Sequence, residues 1–287
     1  MNTQPAAHLC LITGANSGIG LITARELARQ GMDIIMVCRN AQKGEQARQE
    51  IMAASRTKKV DMLLCDLSDF RSVRKLAEEV HKKYDHLDVL VNNAGLIANQ
   101  SSTSAQGVET TFATNHLGPF LLTNLLLDLL RKGSEPRVIS VSSEAHRFAK
   151  FNLDDLVAPK KFSSMRAYAN SKLANILFAN ELARRVAADG ITSNSLHPGA
   201  VKTNFSVGNN GAFALLFGLA RPFLLTAEQG AETTIYLASS PEAKGKTGLY
   251  FDKKKPKTPS ADARSDYFAR ELWAMSSRVT RLESVEV

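Results

Sequence analysis

A chain of 287 residues, 44% hydrophobic and 22% charged, with 17 Gly and 9 Pro, is neither collagen-like nor disordered and carries enough apolar residues for a sizeable core. Its three cysteines, Cys10, Cys38 and Cys65, are an odd number without metal-ligand spacing, so a disulfide scaffold is excluded, no metal site is expected, and they read as reduced core residues of a cytoplasmic protein. The net charge of +8 raises the question of a polyanionic partner, but the local placement of the basic residues argues against nucleic acid.

In chain order, Met1 to Pro5 has no basic region and the chain enters an apolar run by His8, so no secretory signal is expected and the mature protein is expected to begin here. The first strand is predicted at Leu9 to Thr13. It feeds the turn Thr13 to Gly20, a G-x-x-x-G-x-G pattern, into an amphipathic helix from Ile19 to Gln30. Gly14, Gly18 and Gly20, with Ser17 and Ile19 between them, permit a tight turn and close approach of backbone to a pyrophosphate at the helix N-terminus. Such a loop alone also occurs as an ordinary βα turn.

A second strand, Ile34 to Cys38, ends at Arg39, 19 residues after Gly20, where many dinucleotide-binding folds carry a carboxylate for the ribose 2′-hydroxyl. No acid stands there. Arg39 offers a bidentate fork to a 2′-phosphate, which favours NADP(H) over NAD(H); a surface arginine opening the next helix is the alternative. Between Arg39 and Val60 lie six Lys or Arg against two Glu, so part of the excess charge falls where an adenosine end would lie. Helical spacing runs from Ala41 to Ala54.

The third strand, Val60 to Cys65, leads to Asp66-Leu67-Ser68. Asp66 can accept a hydrogen bond from an adenine amino group, with Leu67 beside it, or it can serve the turn before the helix Phe70 to Lys83. After the fourth strand, Leu87 to Val91, come Asn92-Asn93-Ala94-Gly95. The two amides, Asn92 and Asn93, can satisfy loop backbone groups, and the small Ala94 and Gly95 after them leave room for a ribose and nicotinamide; a plain Asn/Gly turn is the alternative. A long helix from Val108 to Leu130, a fifth strand Val138 to Val141, a helix from Met165 to Asp189 and a sixth strand Thr192 to Leu196 follow. This rhythm predicts an α/β fold: a single Rossmann-type doubly wound domain over residues 1–287, with a mostly parallel sheet of about seven strands. No apolar stretch approaches the ~18 to 20 residues of a membrane span, and Lys253 to Lys257 reads as a solvated loop rather than an import signal.

Tyr168 and Lys172 are four residues apart, on one face of a predicted helix. A free phenol, with a pKa near ~10, is a poor base at neutral pH, and an adjacent ammonium lowers that value. For the pair alone, two unrelated surface side chains would be the commoner explanation.

Taken together, Thr13 to Gly20, Asn92 to Gly95, Ser143, and Tyr168 with Lys172 resemble the short-chain dehydrogenase/reductase family, in its order and over nearly the whole chain. The resemblance implies that Tyr168 is the acid/base, that Lys172 binds the nicotinamide ribose and lowers the tyrosine pKa, and that Ser143 orients the substrate oxygen. It also implies that Asn115, in Thr114 to Gly118, holds a water for proton relay, and that Pro198, Gly199 and Thr203 belong to the segment passing the nicotinamide carboxamide. Ser143 is named because the second serine of such a pair is functional in the family. Neighbours on an extended segment face opposite ways, so Ser142 reads as a turn or core hydroxyl, with the reversed assignment as the alternative.

Cys38-Arg39, Asn115 to Phe120, Ser142 to His146, Ser171 to Asn175, Leu196 to Gly199 and Ala269 to Trp273 are similar to the retinol dehydrogenase branch, as is the gap of 25 residues from Ser143 to Tyr168. The hydrophobic N-terminal anchor of that branch's membrane-bound members is lacking, so retinol itself is not the expected substrate. The expectation is an NADP-dependent oxidoreductase that interconverts an alcohol and a lipophilic aldehyde or ketone through Asn115, Ser143, Tyr168 and Lys172. A homo-oligomer is left open. Two other readings are a nucleotide-binding regulator that keeps the fold without turnover, against which the complete catalytic set weighs, and a tetrapyrrole reductase, which nothing in the sequence selects. Residues 204–226, with a Phe- and Leu-rich run from Ala212 to Ala220 after Gly208-Asn209-Asn210-Gly211, are expected to form a mobile lid over the substrate. A core helix, or an oligomer or membrane-surface contact, are the alternatives.

Overall fold

The structure, a computed structural model, describes residues 8–56, 59–201 and 224–282. The described residues form one eight-stranded sheet in the order β3-β2-β1-β4-β5-β6-β7-β8. Its strands are β1 (Leu9–Thr13), β2 (Asp33–Cys38), β3 (Val60–Leu64), β4 (Val89–Asn92), β5 (Arg137–Val141), β6 (Thr192–His197), β7 (Tyr250–Asp252) and β8 (Lys255–Pro256). Every neighbouring pair is parallel except β7 and β8, which form an antiparallel hairpin. The sheet therefore has one strand more than the expected seven, because β7 and β8 are three- and two-residue strands too short to show periodicity.

Strands β1 and β5 are buried along their whole length, as expected for a parallel sheet covered on both faces. Alternation divides the core into two layers: Leu11 and Leu90 face one layer with Phe112, Phe120 and Leu173, while Ile12 and Val91 face the other with Leu27, Ile139 and Phe251. Ile12 pairs with Met36 on one side and Val91 on the other. Connections run outward in both directions from β1 and β4, which makes the carboxyl ends of these strands the switch point at which such sheets bind ligands.

Helices α1 (Gly18–Gln30), α2 (Ala41–Ala54) and α3 (Phe70–Lys83) cover the first half. Asn40 and Asp69 cap α2 and α3 by accepting from Lys43 N and Arg71 N, so both helices begin where their spacing predicts. The expected helix Val108 to Leu130 is divided instead. Glu109 caps α4 (Thr110–Phe112), a π-helical turn covers Ala113–Leu117, and α5 (Gly118–Leu125) and α6 (Leu127–Arg131) follow with a break at Leu126. A π-turn adds one residue to a turn without disturbing an apolar stripe enough to be seen in sequence.

After α7 (Leu153–Leu156), α8 (Ser164–Arg185) is capped by Ser163 and ends short of the expected Asp189, which belongs to a separate 3₁₀ turn, Ala187–Asp189. Helix α9 (Ala227–Ser239) opens with a Thr226/Gln229 capping box. The last helix, α10 (Asp266–Thr280), brings Trp273 against Phe120 and Phe178 at ring-centroid distances of 4.9 and 5.8 Å. Among the described residues no helix is long and apolar enough to cross a membrane, and no cluster of His, Cys, Asp and Glu could hold a metal ion. Thr203 and residues 204–223 of the expected lid lie outside the described residues. The segment's described flanks meet: Val201 bridges Leu225, and Leu225 N donates to Ala200 O at 2.8 Å.

Candidate active site

A cleft of about 590 Å³ opens at the carboxyl ends of β1, β4, β5 and β6, within the size range of small-molecule and cofactor sites. At one wall the β1–α1 turn presents Ser17, Gly18, Ile19 and Gly20. Gly14 adopts φ +69°, and a Cβ on Gly20 would collide with the Gly14 carbonyl oxygen and with Asn93 Nδ2, so the turn can fold this closely only with glycine there. Ser17 is exposed, makes no capping bond with its side chain, and α1 has no acidic residue in its first turn. Free amides at a helix N-terminus with no competing carboxylate fit a pyrophosphate.

The β4 loop is stitched to β1 through Thr13, whose Oγ1 accepts from Asn93 N and Ala94 N at 3.0 and 3.1 Å. Asn93 Nδ2 donates to Thr13 O at 2.8 Å. These bonds leave Asn93, Ala94 and Gly95 lining the cleft, while Asn92 points into the core and donates to Thr123 Oγ1 at 2.9 Å. At the ends of β2 and β3, Arg39 is exposed and 3.9 Å from Asp66 Oδ2. Asp66 Oδ1 accepts from Ser68 N at 2.9 Å and Ser68 Oγ at 2.7 Å. Turn chemistry thus occupies one carboxylate oxygen and leaves the other beside Arg39. The Leu67 side chain is buried, so only its backbone can serve a ligand.

The opposite wall is built by β5 and α8. Ser143 follows β5 and lines the cleft with Tyr168 and Lys172, and its hydroxyl is hydrogen-bonded to the Tyr168 phenol. Ser142 Oγ instead donates to the Lys172 carbonyl at 2.6 Å inside the core, as alternation along an extended chain requires. The buried Lys172 Nζ donates to Val141 O at 3.0 Å and lies 5.5 Å from the Tyr168 ring centroid. Asn115, in the π-turn, accepts from Leu96 N at 2.8 Å and donates to Leu96 O at 2.9 Å and Ser171 Oγ at 3.0 Å. It does not itself line the cleft but lies behind Gly95 and Leu96, and a Cβ on Gly95 would come within 3.4 Å of Asn115 Oδ1 and 3.5 Å of Lys172 Nζ. Pro198 and Gly199, after β6, complete that wall.

Burial pushes the Tyr168 phenol up to about 12, and the hydrogen bond with Ser143 pulls it back. The ammonium lies over the ring, and burial brings Lys172 itself down to about 8. Sequence reasoning left Leu96, Ile97, Ala145, Phe148, His197 and Val201 off the site. Their shared signal is position, since all lie at the carboxyl ends of strands β4, β5 and β6 or in the segments that follow them. Of these, Phe148 is a large apolar side chain left 75% exposed.

The family model of the short-chain dehydrogenases matches residues 8–211. The chain belongs to the short-chain dehydrogenase family. A Gallus gallus WW domain-containing oxidoreductase is 43% identical over 284 residues, covering 96% of this chain and 69% of that protein. Homo sapiens retinol dehydrogenase 12 is 40% identical over 275 residues, covering 96% of this chain and 87% of that protein. Among solved structures, an uncharacterized protein from Mycobacterium Paratuberculosis superposes with a TM-score of 0.78 at 36% identity, over 96% of this chain and 94% of its own. The Pseudomonas aeruginosa RhlG/NADP active-site complex superposes with a TM-score of 0.70 at 25% identity, over 86% of this chain and 95% of its own. The chain is thus an oxidoreductase of a family that uses nicotinamide cofactors, with retinol dehydrogenase-like relatives.

Proposed function

We propose that the protein is a cytoplasmic, NADP-dependent oxidoreductase that interconverts an alcohol and a lipophilic aldehyde or ketone, with Tyr168 as acid/base. The observation that carries this reading is the convergence of Ser143, Tyr168 and Lys172 on one cleft whose facing wall is an unencumbered helix N-terminus. A bound nicotinamide would supply the hydride. Ser143 would hold the carbonyl oxygen, Tyr168 would protonate it, Lys172 would bind the ribose, and Asn115 would relay the proton. A phenol held near 12 is protonated at neutral pH and so can supply the proton when a carbonyl is reduced, with oxidation running the same path backward.

Support for NADP comes from Arg39 directly after β2, exposed and, among the described residues, paired only loosely with Asp66 at 3.9 Å. The RhlG structure and one from Burkholderia cenocepacia are complexes with NADP, which is a fact about those proteins and a precedent for this cleft. Leu96, Ile97, Phe148 and Val201 in the lining favour an apolar substrate. The buried thiols of Cys10, Cys38 and Cys65 fit a reducing compartment. The test is NADPH consumption against a panel of aliphatic, aromatic, retinoid and steroid carbonyls. Turnover of a lipophilic member with NADPH preferred over NADH supports the reading, and a folded, NADPH-binding protein inert to the whole panel overturns it.

A further inference from the structure

The serine that faces the cleft opens a 3₁₀ turn, Glu144–Phe148, for which it is the N-cap, accepting from Ala145 N at 3.2 Å. Inside that turn His146 is 1% exposed, and both of its ring nitrogens are bonded to main chain. Nδ1 lies 2.7 Å from the Ser143 carbonyl oxygen, and Nε2 accepts from the Ser260 backbone N–H at 3.1 Å. We propose that His146 is a positioning residue for Ser143: a neutral imidazole, protonated on Nδ1, that ties the serine's carbonyl to the C-terminal segment at Ser260 and so fixes where the hydroxyl stands. The proposal rests on Ser143 being the residue that holds the substrate oxygen.

The tautomer follows from the partners. A backbone N–H can only donate, so Nε2 must carry its lone pair towards Ser260, and the single proton of a neutral ring is left on Nδ1 facing an acceptor-only carbonyl. Neither partner can turn away as a side chain could. The ring also stacks edge-on against Tyr250 of β7, 5.2 Å between centroids, and the Tyr250 hydroxyl donates to Glu144 Oε1 at 2.8 Å. From β6, His197 Nδ1 accepts from Glu144 N at 3.3 Å. Residues 143 and 144 are therefore held from β6, β7 and the Ser260 segment at once.

A second proton on His146 would set N–H against N–H at Ser260. Burial opposes that proton and keeps the ring's pKa below the ordinary histidine value. The charged and titratable groups facing it are Glu144 and Arg147 on its own turn, Lys257 after β8, Tyr250 on β7 and His197 on β6; Glu144 favours the proton, while Arg147 and Lys257 oppose it.

His146→Phe fills the ring volume and removes both bonds, and His146→Asn restores a donor near the Nδ1 position. With a carbonyl that the wild type reduces, the Phe variant is expected to lose about tenfold to a hundredfold in kcat, the cost of a misplacement near 1 Å, with NADPH affinity unchanged. The Asn variant is expected to recover most of that loss. In a Ser143→Ala background His146→Phe is expected to cost less than about twofold, because its route of action is already gone. An equal loss in both backgrounds, or a parallel loss of NADPH affinity, overturns the proposal. Nitrogen-15 NMR of the imidazole tests it without any substrate: a neutral Nδ1–H tautomer is expected and an Nε2–H tautomer overturns it, including where the Phe variant does not fold. A wild type that reduces no carbonyl defeats the oxidoreductase reading and leaves this tautomer to decide the strut.

Discussion

After β2 Arg39 is 73% exposed and faces Asp66 at 3.9 Å, whereas in the cleft Lys172 is 3% exposed and bonded to the core at Val141. The contrast separates two kinds of work. An exposed ion pair is weak and screened by salt, so Arg39 can exchange Asp66 for a ligand phosphate at little cost. Buried groups cannot rearrange so freely. Lys172 is fixed by burial and by its bond to β5, and the partly buried Ser143 and Tyr168 are tied to each other by a hydrogen bond.

The largest expected effect lies at the buried end. Tyr168→Phe keeps the ring but removes the proton donor, and turnover of an accepted carbonyl should fall by about 10² to 10⁴ with NADPH affinity preserved, measured by steady-state kinetics and a fluorescence titration. Lys172→Ala should break the separation in a different way, weakening both turnover and NADPH binding, because this ammonium lines the cleft and buttresses the end of β5.

At the exposed end the effect should be confined to binding. Arg39→Asp is expected to cost about tenfold to a hundredfold in NADPH affinity while leaving NADH affinity within about twofold, since only the 2′-phosphate loses a charge-assisted partner and gains repulsion. Added salt should weaken wild-type NADPH binding more than NADH binding. Equal salt slopes for the two cofactors would remove Arg39 from cofactor selection.

The smallest effect concerns stability. Burial opposes ionisation of Glu144, but Arg147, the Tyr250 hydroxyl and Lys257 outweigh it and hold the carboxyl at about 2, below its ordinary 4.5. A carboxylate whose folded pKa is depressed stabilises the fold above its unfolded pKa, and that contribution is lost as pH falls from about 4.5 towards about 2. Thermal melts of Glu144→Gln should accordingly lie below wild type at neutral pH and converge with it through that acid range. A constant offset at every pH would show that the carboxylate's charge is not what braces the turn.

Much of the cofactor end was legible because its signals are local. Asn40 and Asp69 are capping residues directly before helices α2 and α3, and Arg39 stands where β2 must end. Alternation of an extended chain required Ser142 and Ser143 to face opposite ways, and the family resemblance chose Ser143. The reaction end was legible in its residues but not in its electrostatics. The Tyr168 phenol is raised by burial, which depends on what the fold packs around it, and spacing to Lys172 does not convey that. The hairpin of β7 and β8 was missed because its turn sets Lys253 and Lys254 at φ 50° and 64°, positions where the usual signal is Asn or Gly. The bond from Tyr250 to Glu144 spans 106 positions, and no periodicity reports it.

The most direct test of this division of labour is to measure NADPH affinity and single-turnover NADPH oxidation for wild type, Arg39→Asp, Tyr168→Phe and the double variant, all with one carbonyl the wild type reduces. The expected result is that Arg39→Asp lowers affinity and leaves turnover at saturating NADPH intact, Tyr168→Phe does the reverse, and the double variant shows the product of the two effects. Undiminished single turnover in Tyr168→Phe would contradict the account, since some other group would then be protonating the substrate.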